Sequence, residues 1–507
     1  MVFLRYFSAC QVLKNVVRIE TSFSLFEMKK GGSMCGLIGV VAEDGSVSVS
    51  EELYAGLWSL QHRGKESAGI VTYGGLQYRD RREMGTVDVV FRNNHLSELS
   101  GNAGIGHVRY STAGASCPEN VQPIEGVYRS TPFWIAHNGN LTNTRELRDE
   151  CMRRGYFFRT TTDTEVIAAL IYFNERYDFL DAVRSALSRI RGTYSLVLLY
   201  KDSVYGIRDS SGNRPLVYGE RRGIRVIASE SVACDVLGIP YVADFSAGMI
   251  RKITPGHAGA LFPVSAGSVL QLPEAKKFCI FEYVYFSRPD ARFDGRRVKA
   301  AQRQMGRNLW RESPVDADVV VPVLDSGKYA AEGFSRESGI PMEESLFRSH
   351  YVGRTFIEPL QERREKGMQI KFNPIAEEVS GKRVAVVDDS IVRATAAKKV
   401  THLLRKAGAQ EVHLRISSPP YRHPCYYGID TYRIEGELIA KRHNGNIEEI
   451  RKEIGVDSLG YLSLAGLVRS ILEVSGKKSQ LRENNFCHAC FSGEYHIRVF
   501  ENGDGNE

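Results

Sequence analysis

The sequence predicts two domains of different class, an α+β half rich in short strands over residues 35–265 and an α/β half with a parallel sheet over 275–475. Length is the first reason: 507 residues exceed what one hydrophobic core supports. The second is the text up to residue 263, where short apolar segments at 36–41, 195–200 and 225–228 are separated by only a few helical stretches. The third is the change of pattern after 264–277, a stretch with Ser, Gly, Pro and Lys that reads as a crossing between domains. Beyond it a strand at 317–323, a helix at 327–338, a strand at 383–387, a helix at 395–407 and a strand at 412–416 alternate in the order of a doubly wound sheet.

Each element has its own justification. Residues 162–174 place Val166, Ile167, Leu170 and Ile171 on one helical face, with Asp163 where an N-cap belongs. The helix at 395–407 carries apolar residues at 397, 400, 404 and 407. Residues 476–507 read as a polar tail around one CxxC, and residues 1–34 as a propeptide or overextended start, since Met28 and Met34 both offer alternative beginnings.

With 43% hydrophobic and 25% charged residues the composition is that of a soluble globular protein. No run approaches the roughly 20 apolar residues of a membrane span, so no membrane partner is expected. The net charge of +7 would suit nucleic acid, but Lys and Arg are dispersed rather than striped, and an anionic small substrate explains it as well. Nine cysteines, an odd number spread over a long chain, fit a reducing cytoplasm better than a disulfide framework.

Cys35, before Gly36-Leu37-Ile38-Gly39, reads by itself as a small buried hydrophobe. Together with His62-Arg63-Gly64, Gly106-His107-Val108-Arg109-Tyr110-Ser111-Thr112, His137-Asn138-Gly139-Asn140 and Thr162-Asp163-Thr164-Glu165, it resembles the N-terminal-nucleophile (class II) glutamine amidotransferases over almost all of 35–263. Splitting a side-chain amide needs a nucleophile, a base and donors to an oxyanion. A Cys35 freed of Met34 supplies a thiolate and an α-amino base with an ordinary pKa of about 7.7 to 8.0. The resemblance implies a layered α/β sandwich, an oxyanion hole of Asn138 and the Gly139 N–H, Arg109 on the glutamine α-carboxylate, Asp163 on its α-ammonium, and Arg63 in the glutamine site near the nucleophile. From the residues alone, Asn138-Gly139 also fits a type I′ hairpin turn and Asp163 a simple helix cap.

In the second half, Val384-Ala385-Val386-Val387-Asp388-Asp389-Ser390-Ile391-Val392-Arg393-Ala394-Thr395 is a strand, two acids, a loop and a helix start. It resembles the phosphoribosyl pyrophosphate (PRPP) signature of type I phosphoribosyltransferases, though such a run could also merely turn the chain and cap a helix. The resemblance puts PRPP on Asp388, Asp389, Ser390 and Thr395, and one Mg²⁺ per subunit near Ser326, Asp388 and Asp389, a hard-oxygen setting. Phe281-Glu282-Tyr283-Val284-Tyr285-Phe286, Arg288-Pro289-Asp290, Tyr351-Val352-Gly353-Arg354-Thr355-Phe356-Ile357 and Ser458-Leu459-Gly460-Tyr461-Leu462-Ser463 narrow the likeness to the amidophosphoribosyltransferase family. That family implies glutamine and PRPP as substrates, 5-phosphoribosylamine, glutamate and pyrophosphate as products at the first step of de novo purine synthesis, purine nucleotides as feedback inhibitors, a homotetramer, and a loop at 363–371 closing over PRPP.

Two departures stand out. Ala394-Thr395-Ala396 replaces the family's usual Gly-Thr-Thr, and Lys65 replaces a Gln. The first removes conformational freedom and a hydroxyl from the phosphate loop, which leaves a second reading, a regulatory or PRPP-sensing paralogue with weakened transfer. Finally, Cys487-His488-Ala489-Cys490 with Cys279 and Cys425 matches the positions at which one subfamily ligates a [4Fe–4S] cluster; thiolate chemistry alone suits Zn²⁺ equally. Cys10, Cys117, Cys151 and Cys234 read as packing residues or surface thiols.

Overall fold

The structure is a computed structural model that describes residues 34–92, 95–110, 114–263, 276–348, 372–429, 431–474 and 482–499. The expected 363–371 loop, the 351–357 motif, Ser111, Thr112, Cys10 and most of the 264–277 crossing lie outside these.

Alternating apolar residues build two antiparallel sheets in the first half. One has seven strands in the order Tyr241–Asp244, Val217–Arg221, Ile224–Ala228, Gly36–Ala42, Ala103–Arg109, Ser67–Gly74 and Gln77–Met84. The other has six, in the order His257–Pro263, Met249–Thr254, Ser203–Arg208, Gly192–Tyr200, Thr131–Leu141 and Ile124–Tyr128. Their facing sides share one apolar layer of Leu37, Val41, Ile105, Trp134, Ala136, Val197 and Val204. Helix Ser50–Ser59 packs against the outer side of the first sheet through Leu53 and Leu57, and Asp163–Tyr172 with Phe179–Leu187 covers the second. This is the layered α/β sandwich expected.

Strand Thr131–Leu141 runs straight through the supposed hairpin: Asn138 pairs with Ser195 and Gly139 with Tyr194. Long apolar flanks on both strands override the turn preference of Asn-Gly. The helix beginning at Asp163 is capped instead by Thr162, whose side chain accepts from the Glu165 N–H at 3.4 Å; the Asp163 carboxylate is engaged elsewhere.

In the second half Val319–Pro322, Arg383–Asp388, Glu411–Ile416 and Ser458–Tyr461 form a parallel sheet in that order. Its side chains alternate in the way a doubly wound fold requires. Val320, Ala385 and Val387 pack with Met305, Leu309 and Phe334 on one face, while Val319, Val384 and Val386 pack with Ala397, Val400 and Leu404 on the other. The first of these clusters continues through Tyr283 and Ile280 to Leu53 and Leu57, so the two halves share a core.

Candidate active sites

Cys35 precedes a central strand of the seven-stranded sheet and is 5% exposed, with its Sγ 3.3 Å from the Tyr110 carbonyl. Its own carbonyl accepts from Arg63 Nε at 2.9 Å. The far side of that guanidinium meets Glu282 of the second half through two bonds of 2.9 Å and Glu230 through one of 2.6 Å. All three side chains are fully buried. Burial works against the Arg63 charge, but the two carboxylates more than restore it. Burial alone would raise Glu230, yet His62 and Arg63 draw it down to about 2. Arg63 is therefore near the nucleophile as expected, but this face of it points to carboxylates of the chain and holds the backbone of Cys35. The Cys35 thiol is pushed up to about 11 by burial. Its nitrogen here lies in a peptide bond to Met34, which is itself buried.

The facing sheet supplies the acceptor side. Asn138 is wholly buried, and neither its Oδ1 nor its Nδ2 has a hydrogen-bond partner among the described residues. A buried amide left so is costly unless something else meets it. Gly139 follows because nothing larger fits: a Cβ there would stand 2.0 Å from the Thr193 carbonyl. His107 Nε2 reaches the His137 carbonyl at 3.2 Å and ties the two sheets together, its pKa lowered by burial to about 3.

Asp163 accepts from the Leu141 N–H at 3.1 Å and lies 3.5 Å from His137 Nδ1. Burial alone would raise it; His137 and these donors hold it below the usual carboxylate range. Arg109 Nη1 donates to the Ala115 carbonyl at 3.0 Å, a position braced by Asn120, which bonds Ala115 O and Thr161 Oγ1 at 2.8 Å each. The His137 partner of Asp163 and the Glu230 and Glu282 partners of Arg63 were not foreseen.

At the carboxyl end of the parallel sheet, the corner after Val319–Pro322 lies against strand Arg383–Asp388. Gly327 is required there, because a Cβ would stand 2.2 Å from the Val387 carbonyl. The approach brings Ser326 Oγ within 3.2 Å of Asp388 Oδ1. Asp388 also accepts from the Asp389 N–H at 2.8 Å, and Ser390 Oγ donates to Asp389. Burial and the neighbouring acid hold Asp388 well above its ordinary pKa, and burial raises Asp389 to about 6. Neither has an ion-pair partner among the described residues. Ala394 precedes the next helix with φ 65° and ψ 0°, and Thr395, exposed, begins it. The departure Ala394 thus falls on a left-handed residue, where glycine is free of strain and alanine is not.

The four second-half cysteines are gathered by backbone pairing. Phe278–Cys279 forms a two-residue parallel bridge with Phe486–Cys487 that sets Cys279 beside Cys487. The Cys490 carbonyl accepts from Arg422 and His423 N–H at 3.0 Å each, which seats the CxxC turn against the segment leading to Cys425. All four thiols are free, and those of Cys279, Cys487 and Cys490 are pushed up by burial, to about 11, to about 12 and well above the ordinary value. They lie within electrostatic reach of one another, although among the described residues no three ligating side chains have closed around one point. As a donor set, four thiols in one place, three of them buried and Cys487 partly so, fit a thiolate-ligated iron–sulfur cluster or zinc. Cys151 and Cys234 are buried packing residues.

Residues 107–235 match the family model described as a glutamine amidotransferase domain. The chain is 43% identical over 464 residues to the amidophosphoribosyltransferase of Methanothermobacter thermautotrophicus, covering 91% of this chain and 94% of that one. With the Bacillus subtilis amidophosphoribosyltransferase it shares 40% over 481 residues, covering 94% and 97%. Among solved structures, the glutamine PRPP amidotransferase from B. subtilis complexed with ADP and GMP superposes with a TM-score of 0.84 at 40% identity, over 92% of this chain and 98% of that one. Since these likenesses run through both halves, sandwich and parallel sheet alike, the chain belongs to the amidophosphoribosyltransferase family.

Proposed function

We propose that this protein makes 5-phosphoribosylamine from PRPP with ammonia taken from glutamine, releasing glutamate and pyrophosphate at the first step of purine synthesis. The full-length kinship across both halves carries this reading, and favours it over a PRPP-sensing paralogue. Residues 35–265 act as the glutaminase, 275–475 as the phosphoribosyltransferase, and 476–507 as a tail.

In the first site the Cys35 sulfur attacks the glutamine amide carbon. The oxyanion takes its hydrogen bonds from Asn138 Nδ2 and the Gly139 N–H, which a buried, unpartnered amide supports. Arg109 holds the α-carboxylate and Asp163 the α-ammonium. A thiol pushed up to about 11 needs a base beside it; removal of Met34 frees the α-amino group of Cys35 to take the thiol proton and return it to the departing ammonia. Water then hydrolyses the glutamyl thioester.

In the second site ammonia attacks the anomeric carbon and the bond to pyrophosphate breaks. Asp388 and Asp389 take the ribose hydroxyls, and Ser390, Thr395 and the N–H groups of the following loop take the 5′-phosphate. Ser326, Asp388 and Asp389 would hold Mg²⁺, which when bound neutralises pyrophosphate charge. Cys279, Cys425, Cys487 and Cys490 would hold a [4Fe–4S] cluster, with Zn²⁺ the alternative; bound there, it ties the tail to the second domain. A homotetramer in the cytoplasm, inhibited by purine nucleotides, completes the reading. The inhibition is supported by the ADP and GMP complex of the B. subtilis relative; among the described residues no helix is long and apolar enough to cross a membrane.

The test is Cys35→Ala. Glutamine-dependent product formation is expected to fall by about a thousandfold or more while ammonia-dependent formation stays within about twofold; glutamine use in that variant would sink the assignment.

A further inference from the structure

Arg63 does not stand alone behind the nucleophile. Glu282, which it grips, also lies 3.9 Å from Nη1 of Arg214, and all three side chains are fully buried. Arg214 belongs to the first half, yet its Nε and Nη2 both donate to the carbonyl of Tyr427, Nε at 2.9 Å. Its Nη1 makes no hydrogen bond among the described residues. The groups around this guanidinium are Glu282 and the thiols of Cys279, Cys425 and Cys487. The segment that carries Cys425 also touches the oxyanion strand, since Asn140 Nδ2 donates to the Tyr426 carbonyl at 2.9 Å and Thr193 Oγ1 to the Tyr427 carbonyl at 2.7 Å.

Buried guanidinium and carboxylate groups are costly unless each meets an opposite charge. Here the contacts form one unbroken line: the Cys35 carbonyl, Arg63, Glu282, Arg214, the Tyr427 carbonyl, and Cys425, whose Sγ accepts from the Tyr427 N–H at 3.4 Å. We propose that Glu282, supplied by the second domain, is a positioning residue for glutamine hydrolysis, and that through Arg214 it makes the placement of Cys35 depend on the four-thiol site. The inference rests on Cys35 being the nucleophile, and assigns the thiol site a role in the first domain beyond securing the tail. Glu282 touches neither substrate. It fixes the guanidinium that fixes the Cys35 backbone, and a shift of about 1 Å there is worth about a hundredfold in rate.

The experiment uses the full chain purified without oxygen and follows glutamine hydrolysis, ammonia-dependent transfer, and the rate at which iodoacetamide alkylates Cys35, read by peptide mass. Glu282→Gln is expected to lower the glutamine kcat and the alkylation rate together, by about a hundredfold, with KM and ammonia-dependent transfer within about twofold. Glu282→Asp, which keeps the charge, should recover at least about tenfold of both. Arg214→Met should slow alkylation by about tenfold, and Arg214→Lys should restore most of that. Wild-type hydrolysis and alkylation in Glu282→Gln, equal losses in the two reactions, or Glu282→Asp no better than Glu282→Gln would each overturn the proposal. If Glu282→Gln does not fold, Glu282→Asp decides alone: a selective glutamine defect of about threefold to tenfold supports it, and none or a matching ammonia defect overturns it. An unchanged alkylation rate in Arg214→Met removes the link to the thiols. A Cys35→Ala control that still hydrolyses glutamine would overturn the underlying glutaminase reading as well.

Discussion

The two catalytic regions keep their buried charges in opposite ways. Around Cys35 three buried acids have basic neighbours inside the chain: Glu230 and Glu282 share Arg63, and Asp163 faces His137. At the end of the parallel sheet Asp388 and Asp389 are buried against each other with, among the described residues, only Ser326, Ser390 and a backbone N–H for company. The first site thus matches its buried acids within the chain, whereas the second leaves two buried acids without a cation among the described residues. The proposed Mg²⁺ and PRPP would meet these two raised acids at the strand end.

The comparison can be broken most directly by removing charge from each side. Asp388→Asn should cut both glutamine- and ammonia-dependent transfer by about a hundredfold or more, while raising the melting temperature of the metal-free protein at neutral pH, because one of two repelling buried acids is gone. Glu230→Gln should do the reverse to stability, costing about 3 kcal/mol in denaturant unfolding because a buried guanidinium loses part of its counter-charge. If both substitutions shift stability in the same direction, the contrast fails.

Acidity sharpens the same point. Asp389, raised to about 6, contributes stability that is complete below its unfolded pKa and is lost as pH rises through about 6. Glu230, lowered to about 2, contributes stability that is present above its unfolded pKa and is lost as pH falls toward 2. The metal-free protein should accordingly melt at a lower temperature at pH 7.5 than at pH 5, and the upward shift on adding Mg²⁺ with PRPP should be larger at pH 7.5. Asp388→Asn should flatten both trends, as scanning calorimetry can show. The smallest effect expected is at Ala394. Ala394→Gly relieves a left-handed φ but loosens the unfolded chain, for a net gain of about 0.5 to 1 kcal/mol in unfolding free energy and a lower KM for PRPP.

Much of this was legible in the residues. Val384 to Val387 followed by two acids announced a strand end with a polar mouth, and the observed strand Arg383–Asp388 differs from the expectation by one residue. Apolar periodicity is a local property, so it survives reading without a structure. The turn that Asn138-Gly139 also fitted could not be excluded locally, because the pairing with Ser195 and Tyr194 lies more than fifty positions away. The charge line was invisible for the same reason: Arg63 and Glu282 are 219 positions apart, and no pattern along the chain joins them. One hint existed. Glu282 is a lone acid amid Phe281, Tyr283, Val284, Tyr285 and Phe286, and an acid set in apolar text is buried only where a cation awaits it.

The bridge between Phe278–Cys279 and Phe486–Cys487 also has a consequence in time. Chains are made from the amino end and domains fold as they emerge, so the sandwich, whose last strand ends at Pro263, has emerged before Cys425, Cys487 and Cys490 have been translated. During that interval Arg214 lacks the Tyr427 carbonyl that its Nε and Nη2 reach. The strand that delivers Cys487 is among the last to be made, so the proposed link from Arg63 through Glu282 and Arg214 to the thiols closes only when the second domain already stands beside the first.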